Sequence, residues 1–131
     1  MSEENQPQPM PGTICWNEIC TPDRAGTIEF YSNLMGWTTE DMEMPNGMTY
    51  TMFKQGATLI GGCVQPEGEA PPMWMNYILV EDLDASATKA KELGATIIME
   101  RVDIPMGSFV VLADPQGAVI SFWENNPDAE C

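Results

Sequence analysis

Glu18 is the residue of this sequence best placed to do chemistry. It sits in Trp16-Asn17-Glu18-Ile19-Cys20, inside a run from Thr13 to Thr21 whose β-branched and aromatic content predicts a strand. Alternate strand residues share a face, so Glu18 stands between Trp16 and Cys20. A carboxylate on an apolar face is costly to bury unless it is paired or neutralised. The chain has only 5 bases against 20 acids, so pairing is scarce. Glu18 therefore stands at a solvated mouth, contacts a hydroxyl such as that of Tyr77 or Ser121, or works as a general base with Tyr77 as its acid partner.

Other chemistries are excluded by residue type. The chain contains no histidine. The commonest catalytic base and zinc ligand is thus missing, and Ser-His-Asp and Cys-His mechanisms are impossible. Cys15, Cys20, Cys63 and Cys131 form no C-x-x-C pair. Cys15 and Cys20 share one expected strand and cannot bridge without bending it. Free thiols in a reducing compartment are expected. The 11 methionines are scattered, which suits core filling better than a soft metal site.

The elements that position these residues belong to a short chain. Its 131 residues suit one domain, and 44% hydrophobic content is enough to bury a core. No apolar run approaches the ~20 residues that span a bilayer. Residues 1–12 are polar and Pro-rich and read as a loose tail, with neither a signal nor a transit peptide. A cytoplasmic location follows by default. The net charge of −15 repels phosphate backbones and anionic lipid, which argues against nucleic-acid and membrane partners and favours cationic ligands.

Two copies of one unit are visible. Trp16-Asn17-Glu18-Ile19 aligns with Met75-Asn76-Tyr77-Ile78 at an offset of 59 residues. Pro45-Asn46-Gly47 aligns with Pro105-Met106-Gly107 at 60, and Gln55-Gly56-Ala57 with Gln116-Gly117-Ala118 at 61. In the first copy, Pro22 and Asp23 start a helix with Asp23 as N-cap. Ile28, Tyr31 and Leu34 or Met35 form its buried face, and Gly36 ends it. Strands follow at 37–44, 48–54 and 57–65, with a turn at Pro45-Asn46-Gly47. Residues 66–72 are a linker. The second copy predicts a strand at 74–80, a helix at 84–93 closed by Gly94, and strands at 96–104, 108–112 and 118–124. Asp114-Pro115-Gln116-Gly117 is the last turn. The fold class is α+β, with two βαβββ modules spanning 13–65 and 73–124 of a domain at 13–124 and a polar tail at 125–131.

In this order, several motifs resemble the vicinal-oxygen-chelate superfamily of glyoxalases, bleomycin-resistance proteins and extradiol dioxygenases. They are the strand ending in Thr21-Pro22-Asp23, the Phe30-Tyr31-x-x-Leu34-x-Gly36-Trp37 run, Leu93-Gly94-Ala95, and Asp114-Pro115-x-Gly117. The resemblance implies that each module curls into half a cup with its helix on the outer face. Catalytic members hold a metal there on two His and two Glu from the first and last strands. Those positions fall here on Trp16, Met75, Ser121, and Ile60 or Gly62. None is a usual ligand for a divalent ion, so no metal or other cofactor is expected.

The cup that the resemblance implies is lined by Trp16, Glu18, Met52, Met75, Tyr77, Ser121 and Trp123. That is an apolar, aromatic pocket with one carboxylate and two hydroxyls, the usual make-up of a small-molecule site. Aromatic faces also hold cations. The expected function is metal-independent binding or carriage of a small aromatic or cationic molecule. The alternatives are a lyase or isomerase using Glu18 and Tyr77, and an interaction module whose cup is filled. A homodimer is expected from the family's habits.

Overall fold

The computed structural model describes residues 10–44, 47, 49–66 and 71–127. Contacts divide the chain into two units, one spanning Trp16–Met75 and the other joining Asn76 onward to the segment that ends at Cys15.

The first unit is built from β1 (Ile14–Cys20), α1 (Arg24–Met35), β2 (Thr38–Glu43), β3 (Thr49–Gln55) and β4 (Thr58–Val64), in the sheet order β2-β3-β4-β1. β1 runs parallel to β4, pairing Glu18 with Gly62 and Ile19 with Cys63. The β2–β3 and β3–β4 pairs are antiparallel. The second unit is built from β5 (Met73–Leu79), α2 (Leu83–Glu92), β6 (Thr96–Ile104), β7 (Gly107–Ala113) and β8 (Val119–Asn125), in the order β5-β8-β7-β6. β5 is parallel to β8, pairing Tyr77 with Ser121, and the remaining pairs are antiparallel. The two βαβββ modules share one topology, and the fold is α+β.

Local chemistry sets the element ends. The Asp23 carboxylate accepts from the Gly26 N–H at 3.0 Å and caps α1, while Asp82 caps α2 through Ala85 N–H at 3.0 Å. Gly36 closes α1 at φ 77°, a left-handed conformation that glycine adopts without a Cβ penalty. The Asp114 carboxylate accepts from Gln116 and Ala118 N–H at 2.9 and 3.0 Å and fixes the turn into β8. Pro45 and Asn46 of the expected β2–β3 turn, and 67–70 of the expected linker, lie outside the described residues. So do 1–9 and 128–131 of the two expected tails. Gly12 N–H donates to Leu79 O at 2.7 Å, and Leu79 N–H to Thr13 O at 2.9 Å.

Each unit has its own core. Ile19, Phe53 and Cys63 form that of the first, with Ile28, Tyr31, Trp37 and Ile60 packed against them. Leu83, Val110 and Leu112 form that of the second. One expectation for α1 is overturned. Ile28 and Tyr31 face the core, but Leu34 and Met35 are 60% and 52% exposed. Tyr31 stacks on Trp37 at 5.3 Å and meets Phe53 and Trp74 edge-on, so its ring takes the packing that Leu34 and Met35 were expected to supply. Among the described residues no helix is long and apolar enough to cross a membrane.

Candidate functional site

In the first unit the strand face carrying Trp16 and Glu18 forms a hydrogen-bonded relay. The Trp16 indole Nε1–H donates to the Tyr50 hydroxyl at 2.8 Å, and that hydroxyl donates to Glu18 Oε1 at 2.7 Å. Tyr50 lies on β3 and Glu18 on β1, with β4 between them. Its phenol crosses β4 at Gly62, and a Cβ there would collide with the phenol oxygen and ring. Gly62 is the residue that lets the tyrosine reach the carboxylate. Met52 completes the row, since Met52, Gly62 and Glu18 are register partners across the three strands.

Glu18 is only 8% exposed, which corrects the solvated-mouth expectation. Tyr50, a residue absent from the expected set, supplies a hydroxyl contact to Glu18. The signal was available: Tyr50 and Met52 are two apart on one strand and so share a face. The Tyr50 hydroxyl is held protonated far above the ordinary phenol range, first by burial and then by the Glu18 charge and hydrogen bond. It therefore acts as a donor. The Cys20 thiol is pushed up to about 11 by burial, then by Glu18 and Cys63. Cys63 also reaches about 11, with burial dominating over the opposing Arg24 charge. Cys15, Cys20 and Cys63 are free thiols, as expected, and Cys131 lies outside the described residues.

The second unit gathers Tyr77, Ser121 and Trp123. Tyr77 is the register partner of Ser121. Its ring meets Trp123 edge-on at 6.4 Å and Phe109 edge-on at 6.1 Å. The Trp123 indole lies against the backbone at Gly107, where a Cβ would strike it, and its Nε1–H donates to Asn125 Oδ1 at 2.7 Å. Ser121 is fully buried, and its Oγ has no hydrogen-bond partner among the described residues. Of the seven expected lining residues, Trp16, Glu18, Met52 and buried Met75, which lies at the start of β5 where the unit boundary cuts the strand, fall in the first unit. Tyr77, Ser121 and Trp123 fall in the second.

The register also settles which residue corresponds to Ser121. Ser121 pairs with Tyr77 as Gly62 pairs with Glu18, so the counterpart is Gly62. Ile60 packs instead against the first core. The four positions that the resemblance assigns to a metal carry an indole, a glycine, a thioether and a hydroxyl. Above Gly62 the space is taken by the Tyr50 phenol. These residues do not fit a two-His, two-Glu site for a divalent ion.

The duplicated βαβββ module, with parallel pairing of its first and last strands, defines a class that comparison with known proteins identifies. The family model described as Glyoxalase/Bleomycin resistance protein/Dioxygenase superfamily matches residues 13–122, and the chain belongs to that family. It is 40% identical over 118 residues to "Putative glyoxylase CFP32" of Mycobacterium tuberculosis, covering 88% of this chain and 45% of that protein. It is 29% identical over 129 residues to the anthracycline biosynthesis protein DnrV of Streptomyces peucetius, covering 86% of this chain and 47% of that one. The chain thus spans about half the length of these relatives. Among solved structures, methylmalonyl-CoA epimerase from Mycobacterium tuberculosis shares the fold at a TM-score of 0.62 and 15% identity, covering 97% of both chains.

Proposed function

We propose that this protein binds a small aromatic cation, without a metal ion, on the sheet face of its first unit. The observation that carries the reading is the Trp16–Tyr50–Glu18 relay. It fixes a buried carboxylate against a phenol that an indole also contacts, with Met52 in the same register row, so a ligand on this face would meet aromatic rings, an apolar side chain and a carboxylate together. A net charge of −15 favours encounter with cations. The similarity to an anthracycline biosynthesis protein fits a planar aromatic compound as ligand. The same reading takes the protein as a cytoplasmic homodimer, which light scattering would register as twice the 14.5 kDa chain mass.

A thermal-shift plate tests this reading with berberine, a planar aromatic cation, alongside zinc and nickel. A ligand at about 100 times its Kd adds ~2.7 kcal/mol, a shift of several degrees for a domain of this size. Stabilisation by berberine, unchanged by a chelator, is expected. Stabilisation by the metals alone would overturn the reading.

A second reading draws on the same hydrogen bond. With Tyr50 as donor and Glu18 as acceptor, the pair forms a proton relay of the kind a lyase or isomerase needs. Tyr50 joins the expected Tyr77 as a candidate acid partner of Glu18. Loss of turnover on a 2-oxoaldehyde thiol adduct in both Tyr50→Phe and Glu18→Gln would support it. No turnover by the unaltered protein would sink it.

A further inference from the structure

The second unit leaves a polar atom unanswered. Ser121 has no exposed surface, and its Oγ has no hydrogen-bond partner among the described residues. A buried hydroxyl in that state is destabilising by ~1–3 kcal/mol, and few are found in native proteins.

The duplication shows what is missing. By strand register Glu18 corresponds to Tyr77 and Gly62 to Ser121, since Glu18 pairs with Gly62 as Tyr77 pairs with Ser121. Met52 pairs with Gly62 as Val111 pairs with Ser121, so Tyr50 corresponds to Phe109. In the first unit an oxygen supplied by the chain itself, the Tyr50 phenol, fills the space over Gly62. In the second unit the corresponding ring is Phe109, which carries no oxygen. The polar group at the corresponding backbone position is the Ser121 hydroxyl, whose register partner Tyr77 meets Phe109 and Trp123 edge-on.

We propose that Ser121 Oγ anchors one oxygen, a phenol or carbonyl, of a planar aromatic molecule seated against Tyr77, Phe109 and Trp123. The inference rests on small-molecule binding in general but not on the aromatic-cation site of the first unit. A serine hydroxyl both donates and accepts, so it serves either oxygen. Because Ser121 is covered, a neighbouring ring must shift to admit the ligand. Trp123, half-buried and next on the same strand face, is the adjacent one.

Calorimetric titration with 1-naphthol and its oxygen-free isostere 1-methylnaphthalene tests the inference. The unaltered protein should bind 1-naphthol about tenfold more tightly. Ser121→Ala should abolish that preference while leaving 1-methylnaphthalene unaffected, and should fold with undiminished thermal stability. Equal binding of the two probes, or a naphthol preference that survives in Ser121→Ala, would overturn the proposal. So would failure of both probes to bind. Berberine on the same preparation separates the two sites: its binding alone leaves the first-unit reading standing, and naphthol binding alone does the reverse.

Discussion

The Tyr50 hydroxyl reaches Glu18 Oε1 at 2.7 Å by crossing an intervening strand at Gly62. A tyrosine, a glycine and a carboxylate on three adjacent strands therefore act as one unit. The glycine supplies clearance, the tyrosine a proton donor, and the carboxylate a fixed negative charge. Trp16 closes the chain by donating to the same phenol oxygen.

Tyr50→Phe removes a buried hydrogen bond to a charged group. Such bonds contribute about 1.5–3 kcal/mol. The variant should lose stability in that range by urea denaturation, with an unchanged m-value. A loss below 0.5 kcal/mol, on the order of a surface substitution, would mean the relay is not formed in solution.

Gly62→Ala places a methyl where the Tyr50 phenol lies. Overpacking of this kind is destabilising by roughly 1–3 kcal/mol. Because the ring as well as the hydroxyl is in the way, adding Tyr50→Phe should not restore stability, whereas adding Tyr50→Leu should. A double-mutant cycle reads the coupling. Additive losses in the Gly62→Ala, Tyr50→Leu pair would contradict the clearance argument.

The thiols give a sign for the alkaline limb. Cys20 and Cys63 are raised from 9.0 to about 11 in the folded protein, chiefly by burial. In the unfolded chain they ionise near the lower value. Their contribution is fully present below pH 9 and is lost as pH rises through 9 to about 11. Stability should fall across that window, and Cys20→Ala, Cys63→Ala should flatten the fall. The same shift keeps these thiols protonated near pH 7.5, so alkylation should be slow. Glu18→Gln should bring the Cys20 profile to lower pH.

Removing the caps tests the helix starts. Asp23→Ala and Asp82→Ala each delete a side-chain acceptor for a first-turn N–H. Each should be destabilising by about 1 kcal/mol. The two caps lie on different helices, so their effects should add.

Much of this was legible in sequence because the duplication repeats local signals. Asp23 as a cap, Gly36 and Gly94 as stops, and the Asp114–Gly117 turn are short-range chemistry. The helix face was misread at Leu34 and Met35, because periodicity shows which residues can face a core but not which ring already fills it. Tyr31 does so here through stacking on Trp37. Tyr50 was missed for a related reason. Its reach to Glu18 depends on a glycine on a third strand, a contact between residues 32 apart in sequence. The Ile60–Gly62 ambiguity needed the β1–β4 register, which alternation cannot supply across strands.

The central claim is that the Trp16–Tyr50–Glu18 face binds an aromatic cation, and a berberine fluorescence titration tests it most directly. The unaltered protein, Glu18→Gln and Glu29→Gln would be compared in 150 mM salt with chelator present. Glu29 lies exposed on α1, so its variant carries the same charge change away from the site. The account predicts saturable binding that weakens at least tenfold in Glu18→Gln and by less than twofold in Glu29→Gln. Equal weakening in both variants would reduce the effect to net charge, and absence of saturable binding in the unaltered protein would contradict the account outright.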